Sequence, residues 1–414
     1  MRIGKHPGDP PCASADSSWD EALVPTSADS RESSPNGCQD YLAPNRFPSS
    51  MERPFRESEK LVIFGLTQDA HLTDSSLARK FGMKESTVSS IRRRLMDSRN
   101  IYFANVPSFH KLGCEMFVQM YGSTNPAVPK DIKDVSHLTF LDETPEIFDS
   151  VSGEGFIMMS AVFRNFSDYL SALDRYDRHF MGVRVAEKAD IRSVFFPLET
   201  SKLCYAYNFA PGLHRILNLD VSKPEPKRPH SYSVEMEDLS VMEKRALVNL
   251  AEYPHATDAQ IAQLLGKSRQ TVTNIRKRLE KKEMYTRVCI PLLFTWNIDL
   301  IAFVHLRFRP DLDADARAEV SRNDWIDLSW YTLERDSEAY TTYMFKDYKD
   351  YVSEMQRMMR PLTEAKVLRA DPHISLVSTA AARELRDCYF SPMVRKFVGL
   401  GDEIRYVKYP RIGL

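Results

Sequence analysis

The sequence predicts an α+β fold made by two tandem copies of one unit, three helices with a short wing followed by a β-α-β-β-α-β run. Three observations predict it. Placing Glu59 over Glu243, an offset of 184, aligns about 50 residues without a gap. That alignment keeps Glu59-Lys60, Leu66, His71, Thr73-Asp74, Ala78, Gly82, Thr87-Val88, Ile91-Arg92, Arg94-Leu95 and Pro107 in register with their counterparts, which marks an internal duplication. FRNFSDYL from Phe163 then echoes FKDYKDYV from Phe345. Finally, strand and helix patterns alternate in the same order after each helical unit, the ferredoxin-like arrangement.

Residues 1–50 are rich in Ser, Pro, Asp and Ala, carry a net charge of −3 and show no apolar period, the composition of a disordered leader. The first helical unit is assigned to 51–110, with helices at 57–69, 73–81 and 85–98 and an apolar face of Leu61, Ile63, Phe64 and Leu66. Thr73 stands where an N-cap belongs and Gly82 where a left-handed C-cap belongs; Thr257 and Gly266 repeat them. The wing is IYFANVP. The first ferredoxin-like domain is assigned to 111–220. CEMFVQMYG reads as a strand, PKDIKDVSHL as a helix, TFLDETPEIFDSV and FIMMSAVF as a hairpin, SDYLSALDRYDRHF as a helix and VRVAEKADIRSVFF as the last strand. A Pro- and charge-rich linker spans 221–238. The second unit runs over 239–294, with helices at 239–252, 257–265 and 269–282 and the wing MYTRVCIP. The second ferredoxin-like domain covers 295–380 through LIAFVHLRF, DADARAEVS, IDLSWYTLER, AYTTYMF, KDYVSEMQRMM and KVLRADPHISLV. Residues 381–414 form a C-terminal extension.

The chain has 414 residues, a net charge of −1, 43% hydrophobic and 27% charged residues. No apolar run approaches the roughly 20 residues that span a bilayer, and no secretory h-region is present. The expectation is a cytoplasmic chain with no membrane partner. Cys12, Cys38, Cys114, Cys204, Cys289 and Cys388 include no CxxC pair, so neither a metal nor any other cofactor is expected. Walker, GxSxG and GxGxxG patterns are absent.

The third helix of each unit carries the strongest functional signal. Arg79–Arg99 has a net charge of +5 and Lys267–Arg287 of +6. In copy one Lys84, Ser86, Thr87, Ser89 and Ser90 precede Arg92, Arg93 and Arg94; in copy two Ser268, Arg269, Gln270, Thr271, Thr273 and Asn274 precede Arg276, Lys277 and Arg278. Small polar groups suit base edges in a major groove while the cations neutralise phosphates, which points to double-stranded DNA.

In LTDSSLARKFGMKESTVSSIRRRL, the wing and the βαββαβ domain after it, each copy resembles the Lrp/AsnC, or feast–famine, transcription regulators. The resemblance implies a sequence-specific DNA-binding regulator that is not an enzyme, with effector domains that pair. Here the two sheets would pair within one chain as a pseudo-dimer, leaving room for a homodimer of whole chains. It also implies a small-molecule effector near the turn between the second and third effector strands, where copy one has Gly153-Glu154-Gly155-Phe156, keeping Gly153 and Gly155 without the family's aspartate. Copy two has Asp336-Ser337-Glu338-Ala339 there. Siroheme decarboxylases look similar to the same family, so an enzyme is the alternative, with His110 the residue to watch although copy two places Phe294 there. A sensing scaffold that binds no DNA is the third reading.

Overall fold

A computed structural model describes residues 54–153, 155–181, 191–204, 207–224, 230–231, 236–311 and 328–401. The expected leader, the helix expected at 313–321, part of the linker, Tyr205 and the end of the C-terminal extension lie outside the described residues.

Three helices open each copy: α1 (Glu57–Gln68), α2 (Asp74–Phe81) and α3 (Glu85–Asp97), then further on α7 (Val241–Glu252), α8 (Asp258–Leu265) and α9 (Arg269–Lys281). Their ends follow the predicted chemistry. The Thr73 hydroxyl accepts from the Ser76 amide and that of Thr257 from the Gln260 amide, satisfying first-turn donors that a helix leaves orphaned. Gly82 (φ 65°) and Gly266 (φ 61°) close α2 and α8 in the left-handed region.

The wings depart from expectation. Strand β1 (Ile101–Pro107) and strand β8 (Tyr285–Pro291) pair with each other, antiparallel, with Ala104 opposite Val288. Each also packs on the first helix of the other unit and buries its apolar residues in the joint between the copies, where the Asn105 amide donates to the carbonyl of Leu250 in α7 at 2.8 Å. Phe55 stacks on Trp296 at 3.8 Å across the same joint. The two helical units therefore share one core.

Copy one continues with β2 (Met116–Ser123), α4 (Lys130–Glu143), β3 (Ile147–Gly153), β4 (Phe156–Phe163), α5 (Phe166–Met181), β5 (Arg192–Pro197), β6 (Lys202–Cys204) and α6 (Ala210–Ile216). After a short β7 (His230–Ser231), copy two supplies β9 (Leu300–Arg307), β10 (Ser329–Arg335), β11 (Glu338–Phe345), α10 (Tyr348–Glu364), β12 (His373–Ser378), β13 (Arg383–Arg386) and α11 (Ser391–Phe397). The segment TFLDE, expected in a strand, instead extends α4: Phe140 and Leu141 bury beside Phe180 of α5. The helix stops at Thr144 because Pro145 follows, and the residue before proline is driven out of the α region.

Sheet one has the order β13-β3-β4-β2-β5 and sheet two β12-β9-β11-β10-β6-β7. The two tails are exchanged: β6 of copy one pairs with β10 in sheet two, and β13 of copy two pairs with β3 in sheet one. One face of sheet one is covered by α4 and α5 and one face of sheet two by α10. Their other faces pack on each other, with Phe117 against Tyr331 at 5.7 Å and Phe156 against Phe303 at 6.0 Å. A two-layer fold needs an apolar partner for that face, and the duplicated chain supplies it internally.

Candidate active site

Strand alternation sends residues i and i+2 to one face. On β2 this face carries Phe117, Gln119 and Tyr121; on β9 it carries Phe303, His305 and Arg307. Toward the strand ends it changes from apolar to ionisable. Tyr121 and His305 occupy equivalent positions in the two copies, and their ladder partners are Arg192 and His373. The Tyr121 hydroxyl lies 3.3 Å from His305 Nδ1, so the equivalent residues meet at the pseudo-two-fold axis. His373 stacks on the Tyr121 ring at 4.8 Å.

Glu338, at the start of β11, accepts from His305 Nε2 at 2.8 Å and from Arg335 Nε at 2.7 Å. With Nε2–H directed at the carboxylate, Nδ1 is left to accept from Tyr121, which orders a carboxylate–imidazole–phenol relay. Burial opposes ionisation of Glu338, but the hydrogen bonds from His305 and Arg335 outweigh it and hold the carboxyl below its usual range. Burial raises the Tyr121 phenol, against the opposing pull of Arg192 and Arg307. The His373 imidazole is lowered by burial and then by its electrostatic interaction with Arg192, His305 and Arg307. Both arginines are exposed at the rim. Acid–base groups, a fixed tautomer and cations for an anionic substrate thus converge on one seam.

A second feature lies deeper, a cavity of about 80 Å³ walled by Tyr102, Tyr207, Trp330 and Tyr331 and floored by Asp149, Glu384, Asp387 and Cys388. Burial, then the neighbouring Asp387, pushes the Asp149 carboxyl up to about 7. Burial also raises Glu384 and Asp387. This small chamber has no lysine or arginine in its lining to hold a carboxylate, so the cationic seam is the better place for an anionic substrate.

The expected DNA contacts fall elsewhere, and half of their cations are committed within the helical units. Arg92 pairs with Asp74 at 2.9 Å and donates to the Leu72 carbonyl; Arg276 pairs with Asp258 at 2.6 Å and donates to the Ala256 carbonyl. Arg94 pairs with the buried Glu59, and Arg278 with Glu243 at 3.4 Å. The repeated Ile-Arg and Arg-Leu steps thus have a structural purpose, tying α3 to α1 and α2 and α9 to α7 and α8. Ser268 caps α9 through the Thr271 amide, Thr273 donates to Asp258, and the Gln270 amide donates to Asn274. Lys84, Ser86, Thr87, Ser90, Arg93, Arg269 and Lys277 are exposed, and Ser89 is half-buried.

His110 sits on a 3-10 turn away from both sites, its imidazole lowered to about 4 by burial and then by Lys111. Gly155 (φ 77°) makes the β3–β4 turn, where its carbonyl accepts from the Thr124 amide. Gly153 and Gly155 are thus placed in that turn, whose counterpart in copy two carries Arg335 and Glu338. The departure of Asp336-Ser337-Glu338-Ala339 from the glycine pattern is one sequence signal of this site. A second was available: His305 interrupts an apolar strand at an inward position.

No protein-family model matches the chain, and no curated protein matches it. Among solved structures, siroheme decarboxylase NirDL aligns over 83% of this chain and 99% of its own, with 12% identity and a TM-score of 0.46. NirDL in complex with an iron-uroporphyrin III analogue aligns over 84% of this chain and 100% of its own, with 14% identity and the same TM-score of 0.46. An AsnC family transcriptional regulator from Agrobacterium tumefaciens aligns over 34% of this chain and 89% of its own, with 18% identity and a TM-score of 0.27. The regulators correspond to a third of the chain and the decarboxylase to most of it. The expectation of a DNA-binding regulator that is not an enzyme, drawn from the basic helices and the family resemblance, is corrected. The structure supplies the physical reason: Arg92, Arg94, Arg276 and Arg278 neutralise acids of their own units, and the wings are spent on joining the copies. Among the described residues, no helix is long and apolar enough to cross a membrane.

Proposed function

We propose that the chain is an enzyme that removes carboxyl groups from a polycarboxylate substrate held at the seam between the two sheets. The observation that carries this reading is the Glu338–His305–Tyr121 relay, flanked by His373 and by the exposed cations Arg192 and Arg307. The arginines bind substrate carboxylates through paired, charge-assisted hydrogen bonds. His373 is neutral in the free protein and gains a proton as those anions arrive. When the carbon–carbon bond to a carboxylate breaks, carbon dioxide leaves and the electron pair stays on the substrate carbon. The His373 proton quenches that carbon, while Glu338 keeps His305 and Tyr121 in place beside it. A carboxylate-bearing tetrapyrrole such as siroheme fits this requirement by charge, with its iron part of the substrate.

The test is to incubate the full chain anaerobically with siroheme and, separately, with iron-uroporphyrin, following the tetrapyrrole absorbance and product mass. Binding with loss of carbon dioxide is expected from at least one of them. The joint Arg192→Ala, Arg307→Ala variant should weaken binding, and His373→Gln should slow turnover by roughly 10²-fold or more with binding retained. If neither tetrapyrrole perturbs the absorbance at saturating protein, or turnover survives His373→Gln unchanged, the reading is wrong.

A further inference from the structure

The deep cavity has a use separate from the seam, with which it shares none of the residues of the relay. Asp149 lies on β3 of copy one, whereas Asp387 and Cys388 follow β13 of copy two, brought there by the tail exchange. The ladder runs Glu384 opposite Val151 and Arg386 opposite Ser150, and the Tyr389 amide closes it on the Phe148 carbonyl. This seats Asp387 and Cys388 beside Asp149. One carboxylate oxygen of each aspartate and the Cys388 sulfur all lie within 4.8 Å of one another. Tyr102 of the first wing strand donates to Asp387 from the opposite wall, which fixes that carboxyl's orientation. The cavity of about 80 Å³ keeps a further position beside the three open.

We infer that Asp149, Asp387 and Cys388 form a binding site for one divalent transition-metal ion. The donors are two oxygens and a sulfur, a set that selects a borderline-soft ion such as zinc or cobalt over magnesium or calcium. An ion placed among them asks each donor to move by about half an ångström to reach typical ligand distances of roughly 2.0–2.3 Å. A cavity on the open side is the geometry of a site with an exchangeable position rather than a closed structural one. Burial and the two aspartates keep the Cys388 thiol protonated in the free protein, so binding must expel protons. In the other half the Asn208 amide donates to the Trp330 carbonyl as the Tyr389 amide does to that of Phe148, so Asp149 and Cys388 have Tyr331 and Tyr207 as counterparts, neither a carboxylate nor a thiol. One ion per chain follows. Because the ligands come from both copies, the ion would also pin the exchanged tail to sheet one.

The experiment uses the full chain, stripped with a chelator, kept reduced, and titrated with cobalt(II) alone. One equivalent should produce a thiolate-to-cobalt charge-transfer band in the near ultraviolet, with proton release that depends on buffer ionisation enthalpy in calorimetry. Cys388→Ser should abolish the band, and Asp149→Asn should weaken cobalt binding by at least about tenfold. The wild-type arm decides the matter without any variant: no charge-transfer band at saturating cobalt overturns the proposal. So does a band that persists in Cys388→Ser, which would place the thiolate at the buried Cys114 or Cys289 or elsewhere. Neither result depends on tetrapyrrole turnover, so this proposal and the seam reading fail separately.

Discussion

Arg386 gives the sharpest test of the exchanged tail. It belongs to β13 of copy two, yet its buried guanidinium donates to three carbonyls of copy one: Leu141 at 2.8 Å, Ile147 at 2.7 Å and Thr144 at 3.3 Å. Leu141 is in the last turn of α4, so a cation from one copy satisfies the negative end of a helix in the other. Hydrogen bonds made by a charged group contribute about 1.5–3 kcal/mol each. Only two of the three are short, and the Leu141 and Thr144 carbonyls keep the backbone donors Thr144 and Ile147. The low end of the range applies, and Arg386→Met should cost about 3–4 kcal/mol. With a urea slope at the upper end of the usual range, about 3 kcal/mol per M, the unfolding midpoint should fall by roughly 1 M. Arg386→Lys, able to reach fewer carbonyls with a compact ammonium, should recover part of the loss. Equilibrium urea unfolding followed by far-ultraviolet circular dichroism measures both variants. A midpoint for Arg386→Met within error of wild type would refute the claim that this contact clasps the copies together.

Three further outcomes are expected. Glu338→Gln keeps volume but loses the charge that orders His305; it should cost about 1–2 kcal/mol in thermal unfolding and alter the His305 imidazole nitrogen shifts, and an unchanged tautomer would rule out the relay. Asp149, ionised in the unfolded chain from about pH 4 but held protonated in the fold to about 7, makes wild type lose stability as pH rises across that window, by an amount on the order of a few kcal/mol. Asp149→Asn should flatten that slope, and parallel pH–stability curves for the two proteins would contradict the assignment. Gly65, buried in α1, has no room for a side chain: an added Cβ would lie 2.4 Å from Leu77 Cδ2 and 2.8 Å from Phe81 Cε2. Gly65→Ala should therefore lower the unfolding midpoint by an amount equivalent to about 1–3 kcal/mol, and a neutral or stabilising effect would show that α2 moves freely against α1.

Local order was legible because it rests on local chemistry. Thr73 and Gly82, with Thr257 and Gly266, bracket their helices as their hydroxyls and missing side chains require. The inward face of β2 and β9 was readable from strand alternation. The basic runs misled for a reason contained in the fold: a sequence shows the charge of Arg92 and Arg94 but not that Asp74 and Glu59 lie against them. The segment Thr139–Glu143 misled because Phe and Leu serve a buried helix as well as a strand, and only the packing of α4 on α5 chose between them.

The amino-acid sequence by itself determined the capping of the helices, which depends on residues a few positions apart, and its repeated register marked the duplication. Tertiary structure alone decided that the wings pair with each other, that the tails exchange sheets, and that Tyr121 meets His305 while Asp149 meets Cys388. Those partners are 184 and 239 positions apart in the chain. Such contacts are set by which apolar faces must be covered together, a requirement of the whole molecule that no local pattern encodes.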